Sequence, residues 1–261
     1  VARHKLETAF SEGALAEARS AELDAGGALA EGYRDLRERF AFTIDPADAR
    51  DFDDAISLDA VASEGGEASD AFAVGSRSEK ASVLSDASRR SARGGGMSSG
   101  MRFVEGRAPA SVRWRLGVHI ADVSHYVAWG SSLDLDARRR ATSVYLADRV
   151  IPMLPEELSG DLCSLRPGAV RRTMTLDLYL DEAARLVAFE LYPALIRSNA
   201  RLTYDEAGRM LAGSDAAEAL RDIRVRAVGS PEPAGLEEDV AWRLRGLSPI
   251  AKARQGARGR A

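Results

Sequence analysis

Cysteine is almost absent from this chain: Cys163 is the only one in 261 residues. A lone thiol excludes an internal disulfide framework. It fits a reducing compartment, where such a residue is expected to pack as core. No apolar run approaches the ~18 residues of a membrane-spanning helix, and the N-terminal stretch has no signal-peptide core. No membrane contact is therefore expected, and the expected location is the cytoplasm. Positive charge is not in excess either. The net charge is −4, which excludes a uniformly basic coat and confines any nucleic-acid contact to local patches. Two catalytic or binding signatures are missing as well. No G-x-S-x-G elbow occurs, which argues against a Ser-His-Asp hydrolase. Counting from Asp45, the sixth position is not glycine and the twelfth is Ile56 rather than glutamate, which sets aside an EF-hand calcium loop.

What is present is a concentration of negative charge. Thr43–Leu58 reads TIDPADARDFDDAISL and places Asp45, Asp48, Asp51, Asp53 and Asp54 within ten residues. At about 5 Å and an effective dielectric of about 20, each like-charged pair costs roughly 3 kcal/mol. Such a cluster must splay into water, take up protons or hold cations. The flanks favour cations. Phe42-Thr43-Ile44 and Ala55-Ile56-Ser57-Leu58 read as short buried strands that pin the loop between them. Pro46 keeps Asp45 out of helical geometry, so a strand-edge loop is expected rather than a helix face.

An apolar fraction of 45% and a charged fraction of 29% are ordinary for a globular protein. Residues 1–39 are rich in Ala, Glu and Arg and read as a helical lead-in. From about 61 to 112, Ser, Gly, Ala, Glu and Arg dominate. Little there can bury a core, so a flexible insertion is expected, with Arg89, Arg90 and Arg93 in a solvated linker. WRLGVHIADVSHYV brings back alternation. Its His119, Asp122 and His125 recur every three residues, which admits a metal reading, but local hydrogen bonding at a strand end is favoured.

Ser132 is placed to cap a helix from Leu133 to about Tyr145. Arg138, Arg139 and Arg140 on that helix read as a solvated basic face, or as a phosphate contact. VIPMLPEELSGDLCSLRPG is punctuated by prolines and predicts an ordered irregular path. RTMTLDLYL and RLVAFELYPALI predict a hairpin joined at Asp181 to Ala184. Helices follow over Tyr204 to Gly213, Ala216 to Val228 and Leu236 to about Gln255. Arg243, Arg245, Lys252, Arg254, Arg258 and Arg260 make the end of the chain its strongest basic patch.

TIDPADARDFDDAISL, LGVHIADVSHYV and ATSVYLADRVIPMLPEELSGDLCSLRPG, with the approach YRDLRERFAF, closely resemble the catalytic (RNB) domain of the ribonuclease II/ribonuclease R family. The matches span Tyr33–Asp59 and Leu116–Thr203, in family order. The resemblance implies an α+β fold, with a mixed, largely antiparallel sheet and flanking helices. Residues 40–261 would form the N-terminal portion of an RNB catalytic domain. It further implies a processive 3′→5′ exoribonuclease that hydrolyses single-stranded RNA to nucleoside 5′-monophosphates with two Mg²⁺ ions. The family's acidic positions fall on Asp45, Asp51, Asp53 and Asp54, as catalytic residues and metal ligands. Its base-stacking tyrosine falls on Tyr145. Asp45 and Asp54 are expected to ligate metal, Asp51 to support a second ion, and Asp53 to ligate or to orient the attacking water.

A phosphodiester needs an activated water, charge relief in the transition state and help for its leaving oxygen. Two Mg²⁺ ions about 4 Å apart on hard carboxylates supply all three. The insertion at 61–112 is longer than the family's. The later half of the domain and the RNA-binding barrels of the full-length family protein have no counterpart in the sequence. A sheet missing half its strands is expected to expose an unpaired edge, and the chain is expected to be a monomer of weak activity. A non-catalytic RNA-binding module or pseudo-enzyme is the competing reading. It is weakened by the intact aspartate set, since a binder has no use for concentrated negative charge beside phosphate.

Overall fold

The computed structural model describes residues 7–61, 111–146, 149–212 and 236–258. In chain order the elements are α1 (Glu12–Ser20), α2 (Ala25–Ala30), β1 (Arg34–Asp45), β2 (Asp54–Ala60), β3 (Trp114–Ala121), α3 (Val123–Tyr126) and α4 (Ser132–Arg140). Then come β4 (Val144–Tyr145), β5 (Val150–Ile151), a π-helical turn at Leu158–Leu162, β6 (Val170–Leu180), β7 (Leu186–Thr203), α5 (Tyr204–Ala212) and α6 (Leu236–Arg258). Residues 62–110 of the expected insertion, with Arg89, Arg90 and Arg93, lie outside the described residues. So do Gly213, Arg260 and the helix expected over Ala216 to Val228.

Five strands close into a barrel in the order β1-β2-β3-β6-β7. Every pairing is antiparallel except that of β7 with β1, whose parallel ladder runs from Arg34 beside Ala194 to Asp45 beside Thr203. The α+β reading therefore holds. The expected open edge is corrected: each barrel strand has two neighbours, because β7 is long enough to pair with β6 along one side and β1 along the other. The helical lead-in is corrected too. It gives way to strand at Arg34, where parallel pairing with β7 overrides the helix preference of an Arg- and Glu-rich segment.

Alternation along the strands sorts the side chains. Phe42, Ala200 and Leu202 face outward and pack with Ala207 and Met210 of α5 and Val240 and Leu244 of α6. Leu58 and Leu180 pack with Ile250 further along. The opposite faces are polar. Arg39 bridges Asp59 at 2.9 Å and Asp177 at 2.6 Å, and the Tyr192 hydroxyl donates to Asp177 at 2.6 Å. Ser57, His119 and Thr175 form a second buried chain of hydrogen bonds, of 3.0 and 2.9 Å. Buried charges are tolerable only when paired in this way.

On the flank, α1 and α4 cap one another. Ser11 caps α1 and accepts from the Ala14 amide, while its own amide donates to Asp136. The Glu17 carboxylate accepts the Ser132 and Leu133 amides at 3.0 and 2.8 Å. This holds it below the usual carboxylate range. The cap of α4 is Ser131, one residue before the expected Ser132, and the helix stops at Arg140 because Ala141 turns left-handed (φ 63°). Tyr145 is therefore on strand β4, not at a helix end. Arg138 pairs with Asp134, Arg139 with Asp136, and Arg140 donates to the carbonyls of Glu7, Ala9 and Pro152. The three arginines thus brace the flank rather than form a free basic face. Cys163 is buried in the core, its thiol pushed up to about 12 by burial. Among the described residues no helix is long and apolar enough to cross a membrane.

Candidate active site

Asp45 ends β1 and Asp54 begins β2, and these strands run antiparallel with Phe42 opposite Ile56. Both aspartates therefore reach the same rim of the barrel, where Asp45 neighbours Thr203 and Asp54 faces Ile120. The residues between them cross the rim as an irregular loop, pinned at several points. The Ala49 amide closes a turn on the Pro46 carbonyl at 3.1 Å. The Phe52 amide donates to Ser164 Oγ, and its carbonyl accepts from the Leu165 amide at 2.7 Å. The Asp53 carbonyl accepts from the Ala121 amide at 2.9 Å.

These contacts give the proline-punctuated run a purpose. Leu154, Leu158, Cys163 and Leu165 form a core cluster with Phe52, so the irregular path is a buttress for the aspartate loop.

The rim is electrostatically strained. Asp45 is 7% exposed, and its Oδ2 is buried with no hydrogen-bond partner. Burial raises its pKa, and the charges of Asp54 and Asp53 add to the rise, while the neighbouring Thr43 hydroxyl and, less strongly, the Arg201 guanidinium oppose it. Asp54, although open to solvent on one side, is raised by partial burial and by the charge of Asp53. Asp51 is half-buried and Asp53 is exposed. The Tyr145 hydroxyl donates to Asp51 Oδ2 at 3.0 Å, while the side chain stays 65% exposed. Burial and the Asp51 contact raise the Tyr145 pKa, so it remains a neutral phenol. The expected residues Asp45, Asp51, Asp53, Asp54 and Tyr145 thus share one rim. Asp48, left out of the expected set, is exposed in the loop.

A divalent cation is implied by the family resemblance, and the residues fit one. They are hard oxygen donors, one buried carboxylate oxygen lacks a partner, and burial, with a smaller contribution from neighbouring aspartate charge, raises two of the four carboxyls. Among the described residues, however, no group of three or more His, Cys, Asp or Glu side chains is arranged to hold an ion. A ligand set complete in the sense of the sequence reading requires the loop to draw together.

The His119, Asp122 and His125 trio diverges, as the hydrogen-bonding reading expects. His119 points into the barrel, and burial depresses its pKa to about 3. Asp122 accepts from Tyr33 at 2.5 Å and from Ser124 at 2.6 Å, while the His125 ring packs edge-on against Tyr33 and Tyr126. The Ser57–His119–Thr175 chain has the order of a nucleophile and base, but all three residues are 0% exposed and no substrate reaches them.

Three residues of the site escaped sequence reasoning. Arg201 donates to three carbonyls of the aspartate loop. Ser164 holds the Phe52 amide. Tyr204, 63% exposed, directly follows Thr203, the neighbour of Asp45. Nothing in the sequence marks Arg201 or Ser164. Tyr204 had a signal, the T-x-x-E capping box of Thr203 and Glu206, which fixes where β7 stops: the Thr203 amide and hydroxyl donate to Glu206 at 2.6 and 2.8 Å.

The barrel has the fold of solved ribonuclease R structures. The structure matches Mycoplasma genitalium RNase R, solved with ribose-methylated single-stranded RNA, at a TM-score of 0.66 and 22% identity, covering 97% of this chain and 29% of that one. It also matches yeast Ssd1, described as a pseudonuclease, at a TM-score of 0.51 and 18% identity, over 89% of this chain and 20% of that one. At such identities these likenesses establish the fold alone.

Sequence comparison establishes the family. Residues 33–261 match the RNB domain, and the chain belongs to the RNB family. Ribonuclease R of Thermotoga maritima is 37% identical over 180 residues, 69% of this chain and 19% of that protein. Ribonuclease R of Aquifex aeolicus is 32% identical over 218 residues, 84% of this chain and 24% of that protein. The chain thus spans about a fifth to a quarter of the length of these relatives.

Proposed function

We propose that this chain carries the cation-binding part of an exoribonuclease site. That site hydrolyses single-stranded RNA from the 3′ end, releasing nucleoside 5′-monophosphates with two Mg²⁺ ions. The observation that supports this reading above others is the rim itself: carboxylates at the ends of β1 and β2, one with a buried unpartnered oxygen, beside an exposed tyrosine. The named relatives are ribonucleases R, and one RNase R neighbour was solved with single-stranded RNA. The cytoplasm remains the proposed location.

Asp45, Asp51, Asp53 and Asp54 hold the cations, which supply an activated water and neutralise charge building on the phosphate. Asp45 is the anchor, since its burial makes an unpaired charge costly until a cation arrives. Asp53, exposed at the edge of the loop, either ligates a cation or orients the attacking water. The Tyr145 ring offers a base-indifferent stacking surface for the RNA end, worth about 1–3 kcal/mol.

A second reading, a pseudo-enzyme that binds RNA without cutting it, draws on the Ssd1 likeness. The retained aspartates favour hydrolysis. The deciding assay incubates 5′-labelled single-stranded RNA with the protein, with and without Mg²⁺. Stepwise shortening from the 3′ end with release of 5′-monophosphates, stopped by chelation, is expected. RNA binding without any cleavage would establish the second reading.

A further inference from the structure

Arg201 sits in β7 between the buried residues Ala200 and Leu202. Its guanidinium leaves the sheet and runs along the aspartate loop. A single nitrogen, Nη2, donates to the carbonyls of Pro46, Ala47 and Ala49 at 2.9, 3.1 and 3.4 Å. The guanidinium carbon lies 4.5 Å from the centre of the Phe52 ring. These contacts span the loop from its first residue to the one before Asp53. Three carbonyl dipoles pointing at one nitrogen repel one another, and the guanidinium offsets that repulsion in a loop whose turn is also closed by the Ala49 amide on the Pro46 carbonyl. A regular strand would send Asp53 and Asp54 to opposite faces, so the loop must bend for the acidic set to converge, and Arg201 bends its first part.

We infer that Arg201 is a positioning residue for the acidic set. By gathering the Pro46, Ala47 and Ala49 carbonyls it holds the first part of the loop in a curve from which Asp51 and Asp53 can close on Asp45 and Asp54 when a cation binds, and so sets the divalent-cation affinity of the rim. The inference rests on the proposed cation-binding role of the four aspartates.

Two roles for this arginine predict opposite signs. A mere counter-charge would repel an incoming cation, and its removal would tighten cation binding. A clamp would be missed, and its removal would weaken binding although a positive charge is gone.

Mn²⁺ is the probe, titrated by electron paramagnetic resonance of the free ion into RNA-free protein. Arg201→Met is expected to weaken Mn²⁺ binding by about tenfold or more, the scale typical of residues that orient ligands. Arg201→Lys, which keeps the charge and a donor but not the planar fork, is expected to fall between the two. Affinity for single-stranded RNA in chelator is expected to stay within about twofold, which a general loss of fold would not allow.

Equal or tighter Mn²⁺ binding by Arg201→Met overturns the inference. If that variant loses its far-ultraviolet dichroism, Arg201→Lys decides alone: weakened binding supports the clamp, and unchanged binding overturns it. Absence of Mn²⁺ binding by the unaltered protein overturns the cation reading itself, an outcome distinct from equal binding by the two proteins.

Discussion

The phenol of Tyr145 donates a hydrogen bond to Asp51 Oδ2, 3.0 Å away. One bond joins the residue proposed to stack on RNA to a carboxylate proposed to hold metal, so the two functions are not independent. Tyr145→Phe separates them. It keeps the ring but frees Asp51, so the product ladder on a sequencing gel is expected to be unchanged while the Mg²⁺ dependence of cleavage shifts. Tyr145→Ala removes the stacking surface, and a longer final product with cleavage chemistry preserved is expected. An unchanged ladder for the alanine variant counts against stacking.

Asp53→Asn removes a charge with almost no change of volume at an exposed position. Hydrolysis is expected to vanish, while single-stranded RNA binding, followed by fluorescence anisotropy, is retained. Cleavage persisting at more than a few per cent of the starting rate would sink the site assignment.

Acid stability is expected to depend on His119. The unfolded chain binds a proton on this imidazole near pH 6.5, whereas burial holds the folded value to about 3. Its surroundings are mixed: Arg39 and Arg115 disfavour the charged form, and Asp59 and Asp177 favour it. Between those two values the unfolded state holds the extra proton. Stability is therefore lost as pH falls through this window, by at most about 1.4 kcal/mol per pH unit. His119→Gln is expected to flatten the decline of Tm between pH 6.5 and 4. A parallel decline in both proteins would show that other groups dominate.

Arg39→Met leaves Asp59 with Arg115 and Asp177 with Tyr192 as their remaining partners. Breaking a buried ion pair from one side costs about 3–5 kcal/mol, and these partners place the loss near about 3. Urea titration reads it directly. A change below about 1 kcal/mol would mean that the barrel interior is wetter than its buried side chains imply.

Much of the site was legible because its chemistry is local in sequence. Five aspartates in ten residues state an electrostatic problem on their own, and flanking alternation identifies the strands that bracket it. The hairpin of β6 and β7 was equally plain, since its two apolar runs are joined at Asp181–Ala184. The start of β1 was not. Arg34 to Arg39 carries helix-favouring residues and becomes strand only because β7 lies alongside it, and that ladder joins residues about 160 positions apart. The end of α4 was misplaced for a related reason: its stop is a left-handed Ala141, a conformation that alanine composition does not announce.

The sequence by itself therefore determined the family and singled out the acidic set and the tyrosine proposed to stack, because each depends on residue types at short spacing. Only the tertiary structure decided how they meet. Closure of β7 on β1 removed the free edge and brought Asp45 and Asp54 to one rim. The fold also set the Leu154–Leu165 buttress behind Phe52, and it carried Arg201 across a separation of 155 residues to the carbonyls of the loop. Long-range pairing and burial are what gather a row of like charges at one barrel rim, and neither is a property of any short stretch of chain.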